Sequence, residues 1–242
     1  DWVYTAGAFS FVNPLERLKE THQETLNNKV LTNVWGELSL SKSLSFKSQY
    51  GYNFREARSS YFKPANVNSG SASSGFASVS DWYSWSLQNT MTYSPKISSL
   101  FDMNLLLGQS VEGAKYYYNY EAASGYPNDL IYTLNVASTP SSAKTSESEN
   151  RMASFFSRLN FNAKDRYLLT VNIRRDGSSK FGNDTKWGWF PSASLGWKIN
   201  KEEFLKSADW LDLLKLRLSL GKAGNNSIGD YESISLLGIA NY

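Results

Sequence analysis

The residue types that most often perform catalysis are scarce in this sequence. Its 242 residues include one histidine, His22, and no cysteine. The lack of cysteine excludes disulfides and a thiolate metal site, and the single histidine excludes a metal site built from several histidines. A Ser-His nucleophilic site is disfavoured because His22 lies in a segment that reads as a loop. The sequence therefore predicts a protein that is not an enzyme and that binds no metal ion or cofactor.

Two groups of charged side chains could bind a ligand, and each also has a structural explanation. Asp176 and Asp184 could form an acidic pair or a calcium site, but their spacing is not that of a calcium-binding loop. Asp176 begins the run Asp-Gly-Ser-Ser, in which glycine permits a turn and the polar side chains hold it by local hydrogen bonds. Arg174 and Arg175 could face an acidic substrate, or one of them could line a hydrated surface beside a carboxylate partner.

Aromatic residues are the better candidates for ligand contacts. They make up 15% of the chain, with 8 Trp and 15 Tyr. Their rings can stack on sugars, or they can form the aromatic girdle of a membrane protein. We predict contacts with a substrate or a covering lid for a tyrosine cluster and one tryptophan, with the girdle as the alternative. These residues are Tyr116, Tyr117, Tyr118, Tyr120 and Trp187.

Charge and hydropathy narrow the class of protein further. The net charge is +3 and charged residues make up 19% of the chain, which is too weakly basic for a dedicated nucleic-acid-binding protein. The sequence contains no run of about 20 apolar residues that would form a transmembrane helix. The chain has neither a starting Met nor a signal peptide, and it begins and ends as if in mid-sequence. We therefore expect a fragment of a longer protein.

Alternation of apolar and polar residues predicts a series of β-strands. The clearest alternation runs from Leu44 to Phe54, where the even-numbered residues are mostly apolar. The predicted strands cover residues 2–11, 30–40, 44–54, 82–93, 101–118, 152–163, 166–175, 189–199 and 213–221, and a last strand begins at 232. The predicted loops cover residues 13–28, with a short helical turn after Pro14, and residues 56–81, 119–150 and 176–188.

The connections between the predicted strands alternate between short and long. Those at 41–43, 94–98 and 163–165 are short, and the ones between them are long. An outer-membrane barrel has short periplasmic turns and long extracellular loops, whereas a soluble sandwich has no reason to gather its short turns at one end. Strands of about 10 to 12 residues can cross a bilayer at a tilt. The pattern favours an all-β fold, an antiparallel transmembrane β-barrel segment, over a soluble β-sandwich.

The two faces of each strand of such a barrel meet different surroundings. The apolar faces should meet lipid, and these are the even-numbered residues of 44–54 and the odd-numbered residues of 83–93 and 167–173. The opposite faces should line a polar lumen. The stretch 166–197 then forms a transmembrane hairpin with an ordered extracellular loop. After it, residues 201–212 read as a short periplasmic helix with a solvated face of Lys201, Glu202 and Glu203.

The later part of the chain carries several motifs in a fixed order. The runs RRDGSSKFG, WGWFPSASLGWKINKEEF and LKLRLSLGKAGNNSIGDY lie within residues 150–231. They resemble the SusC/RagA-like TonB-linked outer-membrane proteins of Bacteroidetes, and several ordered motifs are more specific than one. The resemblance implies part of a 22-stranded barrel, the size class whose lumen is plugged. Residues 1–242 would then be a partial barrel domain without a plug domain, a TonB box or the barrel C-terminus.

The resemblance also implies a function and partners. It implies import of glycans or peptides across the outer membrane of a Bacteroidetes-like Gram-negative bacterium. The expected partners are the TonB complex, reached through the parent chain, a SusD-like surface lipoprotein that acts as a lid, and outer-membrane lipid. A soluble carbohydrate-binding β-sandwich and a non-transport outer-membrane barrel stay open as alternatives, and no nucleic acid is expected.

The motif residues themselves are expected to be mainly structural. They hold turns and strand packing rather than a ligand. These residues are Arg174, Asp176, Gly177, Ser178, Ser179, Phe181, Gly182, Phe190, Pro191, Ser192, Gly196, Trp197, Leu214, Lys215, Leu216, Arg217, Gly221, Gly224 and Asn225.

Overall fold

The computed structural model describes residues 14–69, 71–205 and 210–235. One α-helix, α1 (Pro14–Glu20), precedes the strands, and five short 3-10 turns lie between them in this part of the chain. The strands are β1 (His22–Ser41), β2 (Leu44–Lys63), β3 (Ser74–Tyr93), β4 (Lys96–Ser98), β5 (Phe101–Ser124), β6 (Thr139–Ala163), β7 (Tyr167–Ser178), β8 (Trp187–Lys198) and β9 (Lys215–Gly221).

The described strands form one sheet in which chain neighbours are also sheet neighbours. The order is β1-β2-β3-β5-β6-β7-β8-β9, and the short β4 pairs with β5. The pairs from β6 to β9 are antiparallel with continuous register. This part of the chain therefore lacks the two packed sheets that a β-sandwich requires. The predicted all-β antiparallel class is confirmed, and the sandwich alternative is wrong.

Most strands are longer than the sequence pattern predicts. β2 continues to Lys63, β3 begins at Ser74 and β6 begins at Thr139, so the predicted loops 56–81 and 119–150 are largely wrong. Only residues 64–73 and 125–138 connect these strands. The added segments are rich in Ser, Asn and Glu, but hydrogen bonds to a neighbouring strand satisfy the backbone whatever the side chains are. Polar composition therefore marks a hydrated strand here and not a loop.

The ends of the described chain bring three further corrections. The helical turn after Pro14 is present as α1, with proline at the first helical position, but β1 begins at His22 within a predicted loop. The predicted helix 201–212 is replaced by 3-10 turns at Ile199–Lys201 and Glu203–Leu205, with 206–209 outside the described residues. Residues 231–234 form a turn and a bend where a last strand was expected. The strand predicted at 2–11 lies outside the described residues.

The chain divides into two compact units. The first lies within residues 1–31, 53–83 and 115–148, and the second within 32–52, 84–114 and 149–242. The buried hydrophobic side chains of the described residues belong to the first unit, and they are Phe62, Val67, Ala123 and Tyr126. These residues come from the ends of β2 and β5 and from the two connections 64–73 and 125–138. A small aromatic core therefore joins the loops of this unit.

Ring contacts and backbone hydrogen bonds hold that loop core together. Phe62 is 1% exposed, and its ring lies 4.8 Å from Tyr126 and 5.0 Å from Tyr132. Tyr132 also stacks on His22 at 4.1 Å. The N–H groups of Gly125 and Tyr126 both donate to Ser73, at 2.9 Å each. Gly125 has a φ of +74°, the left-handed region that favours glycine.

The second unit separates apolar from polar residues on the two faces of β6–β9. Directly opposed residues of antiparallel strands share a face. Leu159, Val171, Ala193 and Leu220 are aligned in this way across four strands. We name the full set the apolar face, and it comprises Phe155, Leu159, Phe161, Ala163, Tyr167, Leu169, Val171, Ile173, Trp187, Trp189, Pro191, Ala193, Leu195, Trp197, Leu216, Leu218 and Leu220.

Candidate functional site

The apolar face of the second unit is unusually exposed. Along β8 from Trp187 to Leu195 the odd-numbered residues are exposed, and the even-numbered residues between them are half-buried. Leu195 keeps 57% of its surface exposed, and Trp189 keeps 55%. A soluble protein would bury such residues, because each Leu or Trp loses favourable transfer free energy in water. This face therefore needs an apolar environment outside the strands that carry it.

The opposite face of β6–β9 is polar and hydrogen-bonded across strands. Arg158 donates through Nε to Asn172 Oδ1 at 2.7 Å, and Asn172 donates through Nδ2 to Ser192 Oγ at 3.1 Å. Thr170 donates to Asn160 at 2.9 Å. Such a ladder satisfies side chains that share a hydrated surface. The predicted division of the residues around 167–173 into an apolar set and a polar set is therefore present in the structure.

The predicted tyrosine cluster divides between the two faces of the first unit. Tyr116, Tyr118 and Tyr120 stack in sequence, with ring centroids 6.4 and 6.3 Å apart. Trp82 lies 5.1 Å from Tyr116, and Phe76 lies 5.5 Å from Tyr120. We name these five residues the aromatic row.

Two further residues extend the aromatic row. Arg55 lies over Trp82 at 4.9 Å, and Tyr61 stacks on Phe76 at 5.4 Å. Tyr117 belongs to the other face, where it contacts Tyr83 edge-on at 6.2 Å and lies beneath the ammonium of Lys115. The structure therefore groups Tyr116, Tyr118 and Tyr120 together and separates Tyr117 from them.

Trp187 lies on the apolar face of the second unit. Its ring is 6.2 Å from Phe155, and the guanidinium of Arg175 lies 4.7 Å above it. Opposite Trp187 in the strand register is Gly177, where a Cβ would come within 2.8 Å of the indole. Glycine at 177 therefore makes room for the Trp187 ring.

Several motif residues surround a common cavity of about 580 Å³. We name it the motif cavity. Its lining combines the end of β7, the β7–β8 loop, β8 and the segment after β9. The lining residues are Met152, Arg174, Asp176, Ser178, Phe181, Thr185, Lys186, Gly188, Phe190, Lys222, Ala223, Gly224, Asn225 and Asn226.

Two packing arrangements shape the motif cavity. Arg174 Nε donates to both carboxylate oxygens of Asp176, at 2.6 and 2.8 Å, and its Nη2 donates to Ser154 at 3.0 Å. The ring of Phe190 packs against two glycines, because a Cβ would approach it within 2.7 Å at Gly188 and 2.3 Å at Gly224. These motif residues therefore fix the cavity walls.

The segment after β9 forms hydrogen bonds and an ion pair with β6 and with the β7–β8 loop. Lys180 Nζ donates to the carbonyl of Ile228 at 2.9 Å and pairs with Asp230 at 3.5 Å. The hydroxyl of Tyr231 accepts from the N–H of Glu149 at 3.1 Å. The run Asn-Asn-Ser-Ile-Gly-Asp-Tyr therefore closes one side of the motif cavity, a contact across the sheet that local sequence patterns do not reveal.

The remaining motif residues are dispersed along strands and turns. Ser179 exchanges hydrogen bonds with Arg151, donating its N–H at 2.9 Å and accepting at Oγ at 2.8 Å. Gly182 precedes the 3-10 turn Asn183–Thr185. The others lie in β8, in β9 or beside them, outside the motif cavity, and they are Pro191, Ser192, Gly196, Trp197, Leu214, Lys215, Leu216, Arg217 and Gly221.

The surroundings of Glu202 differ from those that the sequence predicts. It was expected on a solvated helix face, but it is 9% exposed. Its carboxylate accepts from Tyr167 Oη at 2.6 Å, Trp197 Nε1 at 2.8 Å and Arg166 Nη1 at 3.1 Å. These hydrogen bonds, that of Tyr167 first, lower the pKa of Glu202. One signal in the sequence points to this burial. Tyr167 and Trp197 lie at strand ends, and the tyrosine hydroxyl and the indole N–H need hydrogen-bond partners when they are buried.

The adjoining turn is also held by charge. Lys198 and Lys201 both pair with Asp165, and the hydrogen bond from Lys198 is the main cause of the lowered pKa of Asp165. Arg166 pairs with Glu203 at 2.9 Å as well as with Glu202. Its pKa is raised, mainly by the hydrogen bond to Glu203. Two clusters, one around Glu202 and Arg166 and one around Asp165, thus tie the β6–β7 turn to the segment that follows β8.

Residues 14–69, 71–205 and 210–235 contain no group of three or more His, Cys, Asp or Glu side chains arranged to hold a metal ion. Within the same ranges, no helix has the length and apolar character needed to cross a membrane, a finding that concerns helices alone.

Comparison with known proteins assigns this architecture. Residues 4–235 match the family described as TonB dependent receptor-like, beta-barrel. TonB-dependent receptor P39 of Formosa agariphila is 33% identical over 98% of the chain, and TonB-dependent receptor SusC of Bacteroides thetaiotaomicron is 32% identical over 95%. In each case the match covers 23% of the relative, so the chain spans about a quarter of its length.

A solved structure shows the same fold. The structure of the RagAB peptide transporter matches 99% of the chain with a TM-score of 0.92 and 23% sequence identity, and the match covers 27% of that protein's chain. The described sheet is thus part of an antiparallel β-barrel, as predicted, and the barrels of this family are outer-membrane proteins. The chain belongs to the TonB-dependent receptor-like β-barrel family, and its predicted SusC/RagA-like character is confirmed.

Proposed function

We propose that this chain is part of a TonB-linked transporter that imports glycans or peptides across the outer membrane of a Bacteroidetes-like bacterium. A SusD-like surface lipoprotein serves as its lid, and the TonB complex acts through the parent chain. The observation that carries the proposal is the separation of apolar and polar residues across β6–β9 in a chain of this family.

The two faces have the properties that a membrane-spanning barrel requires. In hydrocarbon every backbone polar group must be paired within the protein, which a closed sheet achieves. Exposed leucines such as Leu195 and Leu218 gain from contact with lipid tails. The hydrogen-bonded ladder around Asn172 suits a hydrated lumen instead. We therefore assign the apolar face to lipid and the polar face to the lumen.

Both substrate classes stay within the proposal. One solved protein of the same fold is described as a peptide transporter, and the likeness of this chain to it is a likeness of fold. The aromatic row offers surfaces on which a sugar ring or an aromatic peptide side chain can pack.

We assign cargo or lid contact to Tyr116, Tyr118 and Tyr120. Their mutual stacking restricts each ring, so less conformational entropy is lost on binding. Arg55 above Trp82 adds a cation at one end of the row. We assign Tyr117 and Trp187 to the aromatic girdle. Tyr117 contacts Tyr83 on the face opposite to the aromatic row, and Trp187 contacts Phe155 on the apolar face.

The proposal as a whole is tested in cells that carry the full-length protein. Uptake of labelled oligosaccharides and peptides should require both this protein and a functional TonB. Affinity purification from the outer membrane should recover a surface lipoprotein encoded by the same organism. A protein found in the soluble fraction, or uptake of both cargo classes that is unchanged without TonB, would contradict the transporter.

A matched pair of variants tests the contact residues. Tyr118→Ala should weaken cargo uptake at limiting concentration by roughly three- to tenfold, the effect of losing one aromatic contact. Tyr117→Ala removes the neighbouring ring from the other face and should leave uptake unchanged. Surface amounts of both variants are compared first, by antibody labelling of intact cells. Equal losses of uptake in the two variants would show that the aromatic row is not part of the binding surface.

A further inference from the structure

The motif cavity is lined by two lysines whose side chains have no polar partner among the described residues. Its lining includes three basic side chains, those of Arg174, Lys186 and Lys222, and one carboxylate, that of Asp176. Arg174 is occupied by Asp176 and Ser154. In the ranges that the structure describes, the ammonium groups of Lys186 and Lys222 form neither an ion pair nor a hydrogen bond. The cavity is therefore left with excess positive charge.

Other lysines near the ends of β7 and β8 are paired. Lys180 bonds to Asp230 and to the carbonyl of Ile228, and Lys198 bonds to Asp165. Lys186 and Lys222 lack such partners among the described residues, and both border the motif cavity. Lys186 is half-buried and Lys222 is exposed, so both ammonium charges are available to an anion that enters the cavity. This arrangement favours an anionic ligand.

The rest of the cavity lining is largely apolar. Phe181, Phe190 and Met152 contribute rings and a thioether, and the segment after β9 contributes Ala223 and Gly224. Phe190 is held between Gly188 and Gly224, so its ring offers a fixed surface. The amides of Asn225 and Asn226 add hydrogen-bonding groups at the side. An apolar surface beside cations matches a ligand that is apolar at one part and anionic at another.

We propose that the motif cavity binds an amphiphilic carboxylate, the chemistry of a short peptide's C-terminal end. The apolar side chain of the last residue packs on Phe190 and Phe181, and the free carboxylate lies between Lys186 and Lys222. The volume of about 580 Å³ lies within the range of about 300 to 1,000 Å³ typical of small-molecule sites. A short peptide is one of the two cargo classes of the proposed transporter, so the inference rests on that function, while binding to the cavity is measured without uptake.

Binding to the purified full-length protein in detergent tests the site. The probes are N-acetyl-Leu-Phe with a free carboxylate and the same dipeptide as its C-terminal amide, measured by isothermal titration calorimetry. We expect the acid to bind at least tenfold more tightly than the amide, because the amide loses the charge-assisted contacts. Raising the salt concentration should weaken binding of the acid and leave binding of the amide unchanged.

Charge-removing variants locate the site. Lys186→Gln and Lys222→Gln should each weaken acid binding by roughly three- to tenfold, the effect of losing one ionic hydrogen bond. Lys42→Gln removes the same charge from the exposed β1–β2 turn, outside the cavity, and should bind as the unaltered protein does. Neither cavity lysine has an ion pair to lose within the described residues, so both variants should fold.

Three results would overturn the proposal. They are equal binding of acid and amide, no binding of the acid at millimolar concentration, and an effect of Lys42→Gln equal to that of Lys222→Gln. Because binding is measured on the purified protein, its failure leaves the uptake result unaffected. Uptake that does not depend on TonB, which would contradict the transporter, in turn leaves the cavity measurement unaffected.

Discussion

The two units of the chain place their large apolar side chains in opposite ways. In the first unit Phe62 and Val67 are each 1% exposed, within a core formed by two loops. In the second unit Leu195, Leu218 and Trp189 stay more than half exposed on the apolar face. The first arrangement is that of a protein interior, and the second is that of a surface covered by something apolar.

This difference shows what each region needs in order to be stable. The loop core buries its side chains against its own chain, so its stability depends on close packing. The apolar face is stabilised only when lipid removes it from water, so its stability depends on the environment. Composition does not distinguish the two cases, since both are rich in aromatic and branched residues. Three substitutions test this difference between the units.

The largest effect is expected from Phe62→Ala. Removing a fully buried ring should destabilise the loop core by about 3–5 kcal/mol, because the site loses both transfer free energy and packing. Hydrogen exchange of residues 64–73 and 125–138 in the full-length protein measures this. Leu130→Ala, in the same loops but at an 84% exposed position, should change exchange little. Slow exchange retained in Phe62→Ala would mean that the loops do not depend on this core.

A charge on the apolar face should have the next largest effect. Leu195→Arg should lower the unfolding free energy in phospholipid vesicles by about 2–4 kcal/mol, because the guanidinium would face hydrocarbon. Ser194→Arg places the same charge one residue earlier, on the polar face, and should cost much less. Urea titration of the full-length protein compares the two. If both variants were equally stable, lipid would not cover the apolar face.

The smallest effect concerns the protonation of Glu202. Hydrogen bonds from Tyr167, Trp197 and Arg166 lower the pKa of this carboxyl in the folded protein. A lowered folded pKa adds stability that is fully present above the unfolded value of about 4.3 and is lost as pH falls through the folded pKa. With Glu202→Gln, the unfolding free energy should therefore fall less steeply as the pH decreases below about 4.3. The change in slope should correspond to at most one proton taken up on unfolding.

The same measurement needs a control for loss of charge alone. Glu112→Gln removes an exposed carboxylate from β5 and should keep the acid dependence of the unaltered protein. Thermal unfolding of the full-length protein in detergent from pH 3 to pH 7 compares the three proteins. An unaltered slope in Glu202→Gln would show that the three hydrogen bonds do not tune this carboxyl in solution.

The hairpin of β7 and β8 shows how much the sequence reveals. Alternation in 167–175 and 189–199 predicts both strands and both faces, and in the structure the two strands pair in continuous register, with Tyr167 opposite Trp197. A turn follows within the predicted run, but it covers only residues 179–186, because residues 176–178 continue β7 and residues 187–188 begin β8. Gly177, which was expected to permit the turn, is therefore a strand residue paired with Trp187. These features are local, since side-chain period and turn chemistry act within a few residues.

Other features depend on residues that are distant in sequence. β2 and β6 extend through polar segments because neighbouring strands pair with them. Glu202 is buried because Tyr167 and Trp197 come together only when β7 and β8 pair. The motif cavity needs the segment after β9 to return to β6 and β7. Local patterns do not specify which distant segments make these contacts.

Sequence alone is enough to predict the class of fold, the family resemblance and the division of each hairpin into an apolar and a polar face. Side-chain alternation and ordered motifs are properties of neighbouring residues, so they can be read without coordinates. Only the folded chain shows the strand lengths, the loop core around Phe62 and the cavity that Lys186 and Lys222 border. Each of these results from backbone pairing or packing between segments far apart in the chain.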